Sequence, residues 1–115
     1  MSSLIGKILK QYQDSTHDFD VFKRPDGGFE YKGRLLLHLS TGNKPGDFFA
    51  ASITFPFNFV PDKFCEQELH AKDYRQIGFI IRDLNKLLKL DGLKAEYARR
   101  KDKNGYTLTG IKEIN

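Results

Sequence analysis

Residues 73–90, DYRQIGFIIRDLNKLLKL, have the pattern of one long amphipathic helix. The segment contains no proline and one glycine, and its apolar residues recur at three- and four-residue steps. These residues are Tyr74, Ile77, Ile80, Ile81, Leu84, Leu87 and Leu88. Because a helix turns by about 100° per residue, they share one face, which predicts a helix from Asp73 to Leu90 with that face buried.

The opposite side of this helix is basic. Arg75, Arg82, Lys86 and Lys89 fall within an arc of about 60°, and Asn85 lies at its edge. Gly92 follows Asp91 and is a suitable left-handed stop. The pattern therefore predicts one buried face and one narrow cationic face.

A basic hairpin is predicted directly after the helix. Strand-like residues 93–100 and 106–111 flank the turn residues 101–105, and Asn104-Gly105 is a strong hairpin signal. The cations near its tip are Arg99, Arg100, Lys101 and Lys103. Residues 82–103 hold eight Lys and Arg against four acidic residues, whereas the first 81 residues hold ten of each sign. The formal charge of +4 is therefore concentrated in the helix end and the hairpin.

The order of a basic helix, Gly-Leu, a strand, a basic turn and a second strand resembles the end of winged helix-turn-helix domains. The matching residues are Arg82–Leu88, Asp91–Leu93 and Arg99–Thr109. The resemblance implies that the long helix enters the DNA major groove and that the hairpin contacts the backbone or the minor groove. That family usually has two further helices before this one, whereas strands are predicted here.

The rest of the chain predicts an α+β fold in a single domain spanning residues 1–115. An N-terminal helix is expected over Ser3–Gln13, where apolar residues share one face. A three-stranded antiparallel meander is expected next. Its predicted strands are Phe19–Lys23, Phe29–Ser40 and Phe48–Phe55.

An aromatic connector, Pro56–Pro61, follows the predicted meander. Two prolines exclude it from a central strand because they remove ladder donors. Phe57 and Phe59 are candidates for a partner surface if they are exposed. Asp62 is a candidate N-cap for a short helix reaching His70.

Three enzymatic or metal-binding alternatives have weaker support. Pro25-Asp26 followed by Glu30-Tyr31-Lys32 resembles the restriction-endonuclease-like signature, although only three residues separate Asp26 from Glu30. That resemblance implies two carboxylates holding Mg²⁺, with Asp20 as a substitute ligand. The segment His17–Asp20 offers three metal ligands, and Cys65 with His70 offers a nucleophile and a base.

The favoured hypothesis is a small non-enzymatic nucleic-acid-binding protein, with DNA preferred over RNA, and with no catalytic residues, metal or cofactor. The expected contacts are Arg75, Arg82, Asn85, Lys86, Lys89, Arg99, Arg100, Lys101 and Lys103. The alternative is a protein-interaction module, an inhibitor or adaptor, that binds an acidic protein surface. One cysteine and no long apolar run lead us to expect a cytoplasmic protein without a membrane span. A homodimer would be usual for groove reading.

Overall fold

The computed structural model describes residues 19–114. It contains three helices, a short 3₁₀ turn and six strands in mixed α+β order, in agreement with the predicted fold class. The helices are α1 (Lys44–Thr54), α2 (Asp62–Leu69) and α3 (Tyr74–Leu90). The strands are β1 (Val21–Lys23), β2 (Gly28–Tyr31), β3 (Arg34–Ser40), β4 (Phe59–Pro61), β5 (Leu93–Arg100) and β6 (Gly105–Glu113).

The strands form two antiparallel three-stranded sheets, ordered β1-β2-β3 and β4-β6-β5. Helix α1 contacts elements of both sheets, and α3 packs against α1, β3 and β5. The core includes an edge-on pair, Phe29 and Phe49, with ring centroids 5.1 Å apart. A single apolar core thus joins the two sheets around α1.

The first sheet is the predicted three-stranded meander, but its strands differ from those expected. The predicted long strand Phe29–Ser40 is wrong, because the chain reverses at Lys32 (φ 50°) and Gly33 (φ 81°). Two successive positive φ angles in a two-residue loop produce a tight hairpin whose twist suits the flanking strands. The alternating apolar residues on both sides of Gly33 therefore belong to two strands, β2 and β3.

The predicted strand Phe48–Phe55 is also wrong, because this segment lies in helix α1. All residues from Phe48 to Thr54 are buried. The sequence therefore shows neither the two-residue alternation of polar and apolar residues that indicates a strand nor the 3.6-residue period that indicates a helix. The helix begins after Asn43, whose side chain accepts a hydrogen bond from the Gly46 N–H at 2.9 Å. Gly46 is required because a Cβ there would collide with the Ser40 carbonyl.

The predicted long helix is confirmed as α3. The Asp73 side chain caps it by accepting from the Gln76 N–H at 2.9 Å, and Gly92 ends it with φ 76°. Its buried residues are Ile77, Ile80, Leu84 and Leu88. Tyr74 was expected in the buried face but is 56% exposed, because the buried stripe begins only at Ile77, one turn later.

The C-terminal hairpin is also confirmed, as β5 and β6 joined by residues 101–104. Asn104, not Gly105, takes the positive φ of 52°. Gly105 pairs with both Arg100 and Pro61, and a Cβ there would collide with the Phe59 ring. Glycine at this position therefore allows β4 to join the hairpin.

The connector Pro56–Pro61 contains a 3₁₀ turn and the edge strand β4, as its prolines require. Asp62 is not the N-cap of α2: Pro61 holds that position, and Asp62 is the first helical residue. The predicted helix Ser3–Gln13 lies outside the described residues. No helix in residues 19–114 is long and apolar enough to cross a membrane.

Candidate nucleic-acid interface

The exposed face of α3 carries the four predicted cations. Arg75, Arg82, Lys86 and Lys89 are all exposed, on the side opposite the buried stripe. At about 1.5 Å per residue, they extend over roughly 21 Å along the helix. None of the four has an ion pair within the described part of the chain. The structure therefore leaves these charges available to a partner.

Aromatic side chains lie beside these cations. The Arg82 guanidinium carbon is 4.8 Å from the Phe79 ring centroid, and that of Arg75 is 6.0 Å from the Tyr74 ring centroid. Such cation–π contacts hold the guanidinium groups against the helix surface. Phe79 is 54% exposed and was not predicted as a site residue. The sequence could have indicated Phe79, because it lies outside the buried stripe and is three or four residues away from Arg82 and Arg75.

The hairpin tip lies beside the N-terminal end of α3. Strand β5 runs back along the helix, and the Tyr106 hydroxyl on β6 donates to the Tyr74 carbonyl at 3.4 Å. The turn residues 101–104 therefore extend beyond Tyr74, whereas Lys89 lies at the far end of α3. The predicted cations form an elongated surface along α3 and the tip, which we call the helix–hairpin surface.

The two hairpin arginines are engaged within the protein. Arg99 donates to both Asp62 carboxylate oxygens, at 2.6 and 2.7 Å, and its guanidinium lies 5.0 Å from the Tyr106 ring centroid. The hydrogen bond to Asp62 raises the pKa of Arg99. Arg100 pairs with Asp102 at 3.1 and 3.2 Å and lowers the pKa of that carboxyl. The Arg99–Asp62 pair fixes α2 to the hairpin, and both ion pairs reduce the positive charge that the tip offers.

Lys101 and Lys103 are the available cations at the tip. Both are exposed, and neither has an ion pair among residues 19–114. Lysines in a four-residue turn have long flexible side chains that reach phosphates as point charges. They extend the cationic surface of α3 beyond its first turn.

Asn85 has a structural role. Its amide nitrogen donates to the Ala95 carbonyl at 3.0 Å, and its oxygen accepts from the Ala95 N–H at 2.8 Å. Ala95 lies on β5, an edge strand among residues 19–114, so these bonds satisfy backbone groups that no other described strand pairs. Asn85 therefore fixes α3 to the hairpin and is poorly placed to read bases.

Two shallow concavities border α3. A groove of about 390 Å³ separates α3 from the hairpin, and a cleft of about 460 Å³ lies on the other side of the helix. The groove is lined by Gly78, Ile81, Asn85, Lys94, Ala95, Glu96, Tyr97 and Tyr106. The cleft is lined by Lys44, Pro45, His70, Ala71, Gln76, Phe79, Ile80 and Asp83.

A buried carboxylate that sequence analysis missed holds the C-terminal end of α3. Asp91 accepts from the N–H groups of Leu37 and His38, both at 3.1 Å, and its carboxylate lies 3.3 Å from His38 Nδ1. The Arg34 guanidinium donates to the Asp91 carbonyl at 3.1 Å. Asp91 thus fixes α3 to the open edge of β3, more than fifty residues earlier in the chain. The sequence identified it only as the residue before the Gly92 stop.

The residues of the nuclease-like motif have other partners. Arg24 pairs with Asp26 at 3.2 Å and with Glu30 at 3.7 Å, so one guanidinium serves both carboxylates. Lys32 lies in the β2–β3 turn with its ammonium 5.3 Å from the Tyr31 ring centroid. Within residues 19–114, no group of three His, Cys, Asp or Glu side chains could hold a metal ion. His17 and Asp18 lie outside the described residues.

The predicted nucleophile lacks the environment that a reactive thiol needs. Cys65 is buried in α2, and burial raises its pKa to about 12. A reactive cysteine is a thiolate near neutral pH, usually beside a cation and partly exposed. His70 ends α2 in the left-handed conformation and is exposed. Cys65 therefore acts as a small core residue.

The connector presents one of its two candidate aromatic residues to solvent. Phe57 is 89% exposed and adopts φ 60°, which is unfavourable for a bulky non-glycine residue. Asn58, also with positive φ, donates to the Ser52 carbonyl at 3.1 Å and fixes the turn. Phe59 is half-buried beside Gly105.

Comparison with protein-family models, curated proteins and solved structures finds no match to this chain.

Proposed function

We propose that this protein binds nucleic acid, and duplex DNA in particular, by placing α3 in the major groove with the β5–β6 hairpin beside it. The observation that carries the proposal is the exposed face of α3. Four cations and two aromatic side chains line the outer side of a helix whose other side is buried. Phosphate binding requires several cations on one surface, because the counterions released by each contact add to the affinity.

The order of elements supports docking in the manner of a winged helix-turn-helix domain. That arrangement needs two helices before the groove-reading helix, and α1 and α2 precede α3. Four residues, 70–73, connect α2 to α3, a length typical of helix-turn-helix motifs. The hairpin follows α3 directly, and β4 joins it to the segment between α1 and α2. Of these two helices, α2 was expected from the sequence, whereas α1 was hidden because its residues were assigned to a strand.

Duplex DNA suits this surface better than duplex RNA. The major groove of B-DNA is about 12 Å wide and admits an α-helix, whereas the RNA major groove is deep and narrow. The proposal includes cytoplasmic localisation. The single cysteine, Cys65, is buried and unpaired, so the protein needs no oxidising environment to form a disulfide. It also includes a two-fold dimer on DNA, which light scattering of the protein–duplex complex would detect.

Fluorescence anisotropy with a labelled duplex of about 20 base pairs tests the proposal at roughly 50 and 200 mM salt. We expect saturable binding, and the logarithm of the association constant should fall linearly with the logarithm of the salt concentration. Replacing Arg82 and Lys86 together by Glu should weaken binding by more than about tenfold and flatten the salt slope by about two units. Both side chains point away from the core, so the variant should keep the wild-type melting temperature.

A matched control reverses two cations of the first sheet, Lys23 and Lys32, to Glu. This variant has the same net charge as the α3 variant, but its changes lie in the first sheet, outside α3 and the hairpin. Wild-type-like binding by the control would assign the effect to α3. An equal loss in both variants, or tight binding that ignores salt, would contradict the proposal.

Phe57 favours a second candidate function, a protein-interaction module. A strained and almost fully exposed aromatic residue between two prolines is suited to anchor a contact with an acidic protein. This function predicts a protein partner that remains bound after nuclease treatment and is lost in Phe57→Ala. Loss of every partner on nuclease treatment would favour DNA binding instead.

A further inference from the structure

Asp62, the first residue of α2, holds both strands of the hairpin close to its turn. Its backbone N–H donates to the carbonyl of Asn104, directly before β6, at 2.9 Å. Its carboxylate accepts from both terminal nitrogens of Arg99, which lies on β5, at 2.6 and 2.7 Å. One residue of α2 therefore contacts the chain on both sides of the turn that carries Lys101 and Lys103.

Arg99 and Tyr106 extend this connection to α3. The two residues are cross-strand partners, and the Arg99 guanidinium carbon lies 5.0 Å from the Tyr106 ring centroid. The Tyr106 hydroxyl donates to the Tyr74 carbonyl in the first turn of α3 at 3.4 Å. A continuous set of contacts thus joins α2, the hairpin and α3, and we call Asp62, Arg99 and Tyr106 the hairpin clamp.

The Arg99 side chain is not available to DNA while it belongs to the clamp. A guanidinium binds a phosphate or a carboxylate through the same pair of parallel N–H groups, and Asp62 occupies that pair here. Asp62 also cancels the charge of Arg99, so the two residues together add no positive charge to the tip. The contribution of Arg99 to binding is therefore made through the position of the hairpin.

We propose that Asp62 is a positioning residue for DNA binding. Through Arg99, it fixes the hairpin turn in the place where Lys101 and Lys103 meet the DNA backbone. The inference rests on the proposed function, and it replaces the direct contact that the sequence led us to expect for Arg99. A turn that is already ordered in the free protein loses less conformational freedom on binding, so the affinity is higher. An acidic residue thereby strengthens binding to a polyanion.

Asp62→Asn and Asp102→Asn are the matched pair of variants that tests this role. Each raises the net charge by one and frees one arginine of the hairpin, Arg99 or Arg100. The Asp62 pair connects the hairpin to α2, whereas the Asp102 pair lies entirely within the hairpin. Both variants therefore change the charge of the tip equally, but only Asp62→Asn releases the clamp.

Charge and positioning predict opposite results for Asp62→Asn in the anisotropy titration with the duplex. We expect this variant to bind about fivefold more weakly than wild type, with a salt slope no steeper, because the turn must then be ordered on binding. Asp102→Asn should bind at least as tightly as wild type, since a freed Arg100 can reach a phosphate and steepen the slope by about one unit. If Asp62→Asn binds as tightly as wild type or more tightly, the positioning role is overturned.

Amide ¹⁵N relaxation of the free protein reports on the clamp without DNA. The order parameters of residues 101–104 should fall from about 0.85 towards 0.6 in Asp62→Asn and stay at wild-type values in Asp102→Asn. Arg99→Lys keeps the net charge but loses the paired N–H groups, so it should lower the order of the turn and the DNA affinity in the same direction. Unchanged order in Asp62→Asn and Arg99→Lys would overturn the inference.

The variants should keep the wild-type fold, because the Asp62 and Arg99 side chains are 33% and 28% exposed and such ion pairs contribute little to stability. The results also separate this inference from the proposed function. Salt-dependent binding by wild type that is lost when Arg82 and Lys86 are replaced by Glu supports the proposed function, whatever the result for Asp62→Asn. Absence of wild-type binding to the duplex would overturn both.

Discussion

Replacing Asp91, the residue that follows α3, by Ala should destabilise the protein more than replacing any acidic residue within its helices. The side chain is 3% exposed and accepts hydrogen bonds from the backbone N–H groups of Leu37 and His38 at 3.1 Å each. A hydrogen bond to a charged group contributes about 1.5–3 kcal/mol, and Asp91→Ala removes two such bonds. Because some water can enter at this edge of β3, we expect a loss of about 3 kcal/mol in the free energy of unfolding.

Urea denaturation followed by circular dichroism measures this loss, and the slope of the transition should stay unchanged. A loss of about 3 kcal/mol corresponds to a fall of roughly 10 °C in the melting temperature for a domain of this size. Asp91→Asn should lie between wild type and Asp91→Ala, because its amide oxygen can still accept one N–H. His38→Ala should cost less than about 1 kcal/mol, since that side chain is largely exposed and the backbone bonds remain.

Asp83→Ala is the matched control, because Asp83 is an exposed aspartate within α3, eight residues before Asp91. It should change stability by less than about 0.5 kcal/mol. Should Asp91→Ala be no more destabilising than Asp83→Ala, the assignment of Asp91 as the residue that fixes α3 to β3 would be wrong.

Three further predictions address stability and its pH dependence. Burial raises the pKa of Cys65 to about 12 from an ordinary value of 9.0, so the folded state keeps a proton that the unfolded state loses. The stabilisation from the protonated thiol is therefore complete below pH 9 and is lost as pH rises towards 12. Urea unfolding at pH 8 and pH 10 should show that the free energy of unfolding falls by about 1 kcal/mol more in wild type than in Cys65→Ala. Phe57→Gly should leave stability unchanged or raise it by about 1 kcal/mol, because glycine accepts the positive φ without strain; a clear loss would show that Phe57 packs on the protein. Leu84→Ala should cost about 2–5 kcal/mol in the same assay, whereas Lys86→Ala should cost less than about 0.5 kcal/mol, and similar losses in the two variants would contradict the burial pattern of α3.

Local signals were sufficient for the C-terminal part of the fold. The apolar period of residues 73–90 and the Gly92 stop both act within one helix, so they could be found in the sequence. The hairpin was predicted from the turn residues 101–105 and from the strand-like residues on either side of them. These elements were predicted because their stabilising interactions lie close together along the chain.

Helix α1 could not be predicted by the same means. A helix buried on all sides has no polar face, so its residues look like those of a buried strand. Asn43 and Gly46 were the available clues, as an N-cap and its hydrogen-bond donor, but the same residues also suit a polar loop. This one error concealed the two-helix arrangement before α3.

The residues of the candidate surface could be predicted from the sequence, but which of them are available to a partner could be predicted only in part. Arg99 lies 37 residues after Asp62, and no sequence period shows that the two form a bidentate ion pair. Asn85 was predicted as a nucleic-acid contact, but its amide makes two hydrogen bonds to Ala95. Contacts between distant residues decide which of the predicted cations and amides are free, and such contacts appear only in the folded chain.

The central claim is that α3 and the hairpin tip are the surface that meets DNA. The most direct test is a titration of ¹⁵N-labelled protein with a short duplex, followed by the amide chemical shifts of each residue. We expect the largest changes between Arg75 and Lys89 and in the turn 101–104, with β1 and β2 unchanged. Changes centred on the first sheet or on Phe57, or no changes at saturating duplex, would contradict the claim.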